Sequence, residues 1–343
     1  MEGKTVFVTG GTGLLGSHLL FSLAEKKERI RATYRQQKKL SLVRKVFSYY
    51  SDNPDLLLNE IEWVESDLSD YDNLKSLVTG CKQVYHCAAT VSYESSARDA
   101  LIRSNSELTS RIVRACLETG VEKLCHVSSV ATVETSENQG LIDESENWID
   151  SVYHNAYAIS KHLSEMEVWN GVKKGLNVVI VNPSIILGPG FWDSGSSLFF
   201  SRIARGMLFY TGGVKGYVDV RDVVKSMITL MNSPVKGERF IISSENISFR
   251  EFFSTIAHSM KALKPFIFVP EFLSAPAAAI VKLISRIRGK EGAVTPEIIH
   301  SAFSKVYYDN RKIREATGIA FIPVRQSVED TARIYRVEKQ NKK

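Results

Sequence analysis

Apolar residues along this chain switch repeatedly between two spacings. Short runs rich in β-branched and aromatic residues fall at Thr5–Val8, Arg29–Thr33, Glu60–Val64, Gln83–Cys87, Lys123–Ser128 and Asn177–Val181. Runs of that length and composition predict buried strands. Between them, Gly16–Glu25, Asp70–Val78, Ile102–Thr119 and Ala156–Lys173 repeat apolar residues every three or four positions and predict amphipathic helices. Ser41–Asn59 is longer and more polar, and reads as a helix plus a loop. Strand and helix in regular alternation predict an α/β fold with a doubly wound parallel sheet.

After Pro183 the alternation breaks. Gly188-Pro-Gly190 and the Ser/Gly-rich Asp193–Ser197 predict an irregular loop. Tyr217–Val220 and Arg239–Ile242 read as strands returning to the sheet or its edge, and Phe249–Leu263, Glu271–Arg288 and Pro296–Phe303 as helices. The expected division is a dinucleotide-binding domain at 1–183, with 214–243 returning to it. A smaller, mostly helical substrate-capping region then spans 184–213 and 244–335, followed by a polar tail at 336–343. The apolar stretch 272–287 reads as a packed lid, with a dimer face or a membrane-surface helix as the other readings.

Composition narrows the classes. With 343 residues the chain can bury a sizeable core, and its net charge of +6 suits an anionic ligand without being a nucleic-acid signature. The first strand begins within a few residues of Met1, which leaves no room for a signal peptide, and no apolar run reaches the length of a membrane span. Cys81, Cys87, Cys116 and Cys125 have neither C-x-x-C spacing nor histidines in ligand register, so they read as reduced thiols of a cytoplasmic protein, with no metal.

The candidate chemistry starts where the first strand ends. Gly10, Thr12, Gly13, Leu14, Leu15 and Gly16 join that strand to a helix. A strand, a glycine turn and a helix start in this order aim backbone N–H groups at a phosphate, and the glycines let a pyrophosphate approach. Farther on, Tyr157 and Lys161 stand one helical turn apart, downstream of a strand that ends in Ser128-Ser129. A free phenol titrates near about 10, and a neighbouring ammonium lowers that value toward a working acid/base. A serine hydroxyl can hold the substrate oxygen as charge develops.

These motifs together resemble the extended short-chain dehydrogenase/reductase family, the NAD-dependent epimerase/dehydratase superfamily, and within it the dihydroflavonol-4-reductase-like branch. The resemblance covers nearly the whole chain. Thr9–Gly16 matches its TGxxGxxG, and Asp67-Leu68 its acid at the adenine. Cys87-Ala88-Ala89 matches the loop beside the cofactor, and Asn105 the helix asparagine of a proton relay. Ser129, Tyr157 and Lys161 match the catalytic serine, acid/base tyrosine and ribose-binding lysine, while Pro183, Ser184 and Ile185 fall in the loop against the nicotinamide. Val130 replaces the common alanine, so Ser128 stays an alternative to Ser129. The resemblance implies a Rossmann-type fold.

The second strand ends in Tyr34-Arg35 with no acid nearby, and Lys38 and Lys39 follow. Arg35 with Lys38 predicts a clamp for a 2′-phosphate, hence NADP, with NAD as the other choice. The expected activity is NADP-dependent reduction of a ketone or aldehyde on a small hydrophobic substrate. The alternative is a nucleotide-sugar epimerase or dehydratase with tightly bound NAD, although Lys215-Gly216-Tyr217 stands where such relatives carry Arg-Asp-Phe. A homodimer is the remaining partner expectation. His86 and His126 read as structural, and Asp219 and Asp222 as a junction between sheet and cap. Ser92, Tyr93 and Tyr153 are candidates to line the pocket, and Phe191 and Trp192 either floor it or anchor their loop.

Overall fold

Residues 5–89, 98–133, 140–151, 154–273 and 296–340 are described by the computed structural model. Ser92, Tyr93, Tyr153 and most of 272–287 lie outside them.

The first strand, β1 (Thr5–Thr9), has Val6, Phe7 and Val8 at 0–1 % exposure, because both faces of the sheet are covered. Beside it stand β2 (Arg29–Tyr34), β3 (Ile61–Glu65), β4 (Gln83–His86) and β5 (Lys123–Val127). After the short β6 (Leu141–Ile142) comes β7 (Val178–Pro183). The strands β8 (Ile185–Leu187), β9 (Phe209–Tyr210), β10 (Val214–Asp219), β11 (Glu238–Ile242), β12 (Glu245–Ser248), β13 (Ile267–Phe268) and β14 (Tyr307–Tyr308) follow. Among the described residues, seven strands form one sheet in the order β11-β7-β5-β4-β1-β2-β3, every neighbouring pair parallel. The chain winds outward through β2 and β3, then crosses back to β4 on the other side of β1. That reversal opens a crevice at the carboxyl ends of β1 and β4. The doubly wound α/β fold expected from the alternation is thus the observed one.

Helices cover both faces. On one, α1 (Leu14–Glu25) follows β1, with α2 (Leu40–Phe47) and α3 (Pro54–Asn59) inside the stretch read as helix plus loop. On the other lie α4 (Tyr71–Val78), α5 (Arg98–Thr119) and α6 (Ala156–Lys173). Strand alternation divides the core between them: Val6 and Val8 pack with Leu19, Leu20 and Leu23, whereas Phe7 packs with Leu74, Ile112 and Val168. Helices α7 (Leu198–Ala204) and α8 (Val220–Met231) lie outside the helices that the periodicity predicts, as do Arg311–Thr317 and Val324–Gln340, although Val220, Val223, Val224, Met227 and Met231 carry a helical period. Beyond α8 come α9 (Phe249–Met260), α10 (Pro296–Phe303), α11 (Arg311–Thr317) and α12 (Val324–Gln340).

One of the two returning strands behaves differently from expectation. β11 does join the main sheet at its edge, but β10 does not; it pairs with β8 and β12 in a separate three-stranded sheet. The reason is local packing. Tyr217 is fully buried and stacks on Phe252 of α9 at 4.2 Å, within an apolar cluster that includes Phe200, Trp192, Val328 and Tyr335. That cluster holds β10 away from the main sheet. Trp192 is 8 % exposed and donates from Nε1 to Glu338, so it anchors its loop. Glu338 also takes bonds from Lys45 of α2 and from Tyr49 just beyond it.

The crossover is tight because the glycines let backbone meet backbone. Gly10 has φ +71°, and a Cβ on it would lie 2.6 Å from the Ala88 nitrogen. A Cβ on Gly16 would lie 2.2 Å from the Gly10 carbonyl oxygen. Backbone on both sides cannot give way as a flexible side chain could. Gly16→Ala should therefore lose about 1–3 kcal/mol of stability despite alanine's better helix propensity. Urea unfolding tests this, and an unchanged or raised midpoint would show that the turn can relax.

Candidate active site

The crevice is built from its floor upward by the end of β1. Thr9 accepts the Cys87 N–H on its carbonyl at 3.2 Å and the Ala88 N–H on its hydroxyl at 3.3 Å. The glycine turn and the Cys87–Ala89 loop are thereby locked side by side. Helix α1 then starts at Gly13 with no side-chain cap and no acid in its first turn. By contrast α4, α6, α8 and α9 are capped by the side chains of Asp70, Asn155, Asp219 and Ser248. An uncapped helix start with an exposed glycine leaves its first N–H groups and positive dipole end for an anion. A Cβ on Gly13 would meet only the Gly10 carbonyl oxygen, at 3.5 Å, so the space over the turn is open. These residues fit the diphosphate of a dinucleotide.

Helix α6 supplies the next layer. The Asn155 side chain caps it at the Ala158 N–H, 2.8 Å away, which fixes the turn carrying Tyr157. Lys161 lies one turn on, 4 % exposed, and its ammonium donates to the Val127 carbonyl at 2.7 Å. That bond places a positive charge at the carboxyl end of β5. Burial lowers the Lys161 pKa to about 8, against the pull of Cys87 and Glu165. Asn105 on α5 donates to the Ser160 hydroxyl at 3.1 Å, and that hydroxyl donates to the Tyr157 carbonyl at 2.9 Å. The asparagine thus reaches, from the neighbouring helix, the turn of α6 that joins Tyr157 to Lys161.

The two serines after β5 have different jobs. Ser128 is turned inward, its hydroxyl donating to Glu165 at 2.6 Å. Ser129 caps a short 3₁₀ turn at Val130–Thr132, accepting the Ala131 N–H at 3.1 Å, which leaves its own proton to donate. On β7, Asn182 donates to the Ser129 carbonyl at 3.1 Å. Pro183 closes β7, the Ser184 N–H bonds the Ile242 carbonyl at 3.0 Å, and Ile185 opens β8 against Tyr217.

At the opposite end, β2 delivers Arg35, and Lys38 sits exposed in a 3₁₀ turn. The Asp67 carboxylate accepts from Ser69 backbone and hydroxyl at 2.8 and 2.7 Å. Those bonds, followed by the Arg35 charge, hold it below the usual carboxylate range. Leu68 is only 5 % exposed yet has φ +61°, an unusual conformation for leucine, and its N–H bonds the Ser66 hydroxyl at 3.1 Å.

Other candidates settle into structural places. His86 bonds Thr9 at 2.8 Å and Thr109 at 3.1 Å, and burial drives its pKa down to about 3. His126 is equally buried, its pKa pushed well down by burial, and neither ring nitrogen has a hydrogen-bond partner. Asp219 caps α8 and pairs with Arg221, which reaches Asp330 on α12, as a junction should. Burial raises Asp222 to about 6 while it accepts the Ile322 N–H. The four cysteines are free, and burial pushes Cys87 up to about 12. Among the described residues no group of acids, histidines or cysteines could hold a metal, and no helix is long and apolar enough to cross a membrane. Sequence reading missed Glu165 and Arg239, a buried ion pair beneath the serines at 3.1 Å. A charged residue one turn beyond Lys161 on the same helix face was the available signal.

Comparison with known proteins places this geometry. The chain is 29 % identical to a putative dihydroflavonol 4-reductase of Synechocystis over 94 % of this chain and 92 % of that protein. It is 32 % identical to sterol demethylase protein B of Methylococcus capsulatus over 71 % and 70 %. Its fold matches a mutant UDP-glucuronic acid 4-epimerase from Bacillus cereus, solved with a fluorinated UDP-sugar and NAD, at TM-score 0.76 and 15 % identity over 97 % and 99 %. The expectation of NADP is corrected by these structures: that complex holds NAD, as do further solved structures of the same fold. At the β2 edge the Arg35 charge lies near enough to the Asp67 carboxylate to lower its pKa, so a 2′-phosphate there would meet a carboxylate as well as the guanidinium. The model of the NAD dependent epimerase/dehydratase family matches residues 6–243, and the chain is an enzyme that belongs to that family.

Proposed function

We propose that the enzyme interconverts a hydroxyl and a carbonyl on one substrate carbon, with Tyr157 carrying the proton and with residues at the ends of β1 and β4 that would hold NAD. The observation that carries this reading is the Lys161 ammonium, buried and tethered to Val127 one turn from Tyr157, beside an uncapped glycine turn. NAD supplies the two-electron acceptor and donor. Gly10, Thr12, Gly13, Leu14, Leu15 and Gly16 hold its diphosphate, and Asp67 and Leu68 its adenine end. Arg35 and Lys38 flank that end. Cys87, Ala88, Ala89, Pro183, Ser184 and Ile185 wall the nicotinamide end. Ser129 donates its free proton to the substrate oxygen. Lys161 favours the phenolate form of Tyr157 and holds a ribose hydroxyl, and Asn105 orders a relay water.

The net outcome we favour is epimerisation or dehydration of a nucleotide sugar with NAD retained. It is supported by full-length similarity of fold to a UDP-glucose 4-epimerase solved with UDP-glucose and to a UDP-glucuronic acid 4-epimerase solved with a fluorinated UDP-sugar and NAD. A second reading is net reduction of a separate, apolar carbonyl compound. It is supported by the putative dihydroflavonol 4-reductase among the relatives and by Lys215, which stands where the epimerases would carry Arg-Asp-Phe and whose ammonium donates to the Ser304 hydroxyl at 2.6 Å. Dinucleotide released from the purified protein identifies the cofactor. UDP-glucuronic acid and a dihydroflavonol then separate the readings: epimer without net NADH consumption supports the first, stoichiometric NADH oxidation the second, and neither removes both.

Tyr157→Phe should lower turnover about 10²–10⁴-fold with NAD affinity unchanged. Retained turnover would take the proton role from Tyr157. Lys161 gives a pH test without substrate. Its folded pKa of about 8 lies below the ordinary 10.5, so the unfolded chain binds the extra proton between those values and stability rises with pH there. Below pH 8 the buried charge costs its full amount, on the order of 3 kcal/mol. Lys161→Met should therefore be more stable than wild type at pH 7 and lose that advantage by pH 10. An equal gap at both pH values in urea unfolding would contradict the buried-charge account.

A further inference from the structure

The two serines after β5 hang on one carboxylate. Glu165 lies one turn beyond Lys161 on α6 and is 3 % exposed. Its Oε2 accepts the Ser128 hydroxyl at 2.6 Å, the Thr132 hydroxyl at 2.9 Å and the Asn182 amide at 3.0 Å. Its Oε1 accepts Arg239 at 3.1 Å and the Trp169 indole at 3.3 Å. Asn182 in turn donates to the Ser129 carbonyl and the Thr132 hydroxyl, at 3.1 and 2.9 Å. Every bond on Oε2 thus reaches a residue immediately before Ser129, three residues after it, or on the strand that holds its carbonyl. Arg239 offsets the buried charge and is itself fixed by the carbonyls of Glu144 and Glu146.

We infer that Glu165 is a positioning residue for Ser129: it grips the serine turn from both sides and aims the Ser129 hydroxyl at the substrate oxygen. The inference rests on the reading of Ser129 given above. The reasoning is geometric. Ser129 touches the reacting oxygen only if its short turn keeps its place, and that turn is pinned to α6, the helix that also carries Tyr157 and Lys161. One carboxylate therefore ties the oxygen-holding serine and the proton-carrying tyrosine into one rigid unit. A displacement near 1 Å at such a group can cost about 10² in rate. Helix α6 needs no such acid for its own stability, since a buried ion pair is seldom better than an apolar pair of the same shape.

Two measurements test this. The first needs no substrate. Ser128→Ala with Thr132→Val removes the turn's side of the grip and leaves Glu165 in place; Glu165→Gln weakens the other side. Hydrogen exchange followed by mass spectrometry should show the amides of 131–133 exchanging about tenfold faster in both variants, with 160–173 unchanged. Trp169→Phe, which removes one bond from Oε1 only, should leave 131–133 as in wild type. Exchange at 131–133 that matches wild type in the double variant, or that rises equally in Trp169→Phe, overturns the inference. The second measurement is a cycle with Ser129→Ala. Glu165→Gln should lower kcat about tenfold in the wild-type background and have no further effect when Ser129 is absent. Full additivity overturns the positioning role, whereas full activity of Ser129→Ala alone overturns the functional reading and leaves the exchange result to decide the grip.

Discussion

The close approach of two backbones at the reversal of the sheet is the constraint from which the site follows. Gly10 must sit against Ala88, and Gly16 against Gly10, or β1, β4 and α1 cannot converge. Convergence then does three things at once. It exposes an uncapped helix start, locks the Cys87–Ala89 loop to Thr9, and leaves a crevice at the carboxyl edge. Everything chemical is hung around that crevice on elements already fixed by packing: α6 by its contact with α5, and the serine turn by β7.

Charge is handled differently at the two ends of the crevice. On the β2–β3 side the ionic groups are exposed and local: Asp67 with Ser69, and Arg35 beside it. On the β5–β7 side they are buried and compensated through the backbone or a single counter-ion. Lys161 rests on a carbonyl, and Glu165 on Arg239. Low-dielectric surroundings strengthen each of these interactions, and they make each group costly to leave without its partner. The two histidines next to them, both forced neutral by burial, add polarity without adding charge.

Much of this was legible in the chain. The sheet strands showed as β-branched runs because a parallel sheet buries both faces, and the glycine turn showed because only glycine permits the contacts at positions 10 and 16. Tyr157 and Lys161 showed through helical spacing. What stayed hidden depends on contacts between distant segments. Nothing in Tyr217–Val220 says that the strand will be drawn off the sheet by Phe252. The choice between Ser128 and Ser129 turns on Glu165, thirty-seven residues away. The cofactor expectation fails for a related reason: Arg35 and Lys38 are neighbours in sequence, whereas the charge near Arg35 depends also on a carboxylate that follows the next strand.

The carboxylate of Glu338 has a consequence for how the molecule comes into being. It receives Lys45, Tyr49 and Trp192, the first of them 293 positions earlier in the chain. During synthesis the N-terminal layers can assemble as they emerge, because their strands and helices are consecutive. Helix α2 and the Trp192 loop, however, wait for a carboxylate 293 and 146 positions farther along the chain. The β-sheet can thus form before that carboxylate fastens helix and loop together, and the fastening joins segments far apart in sequence.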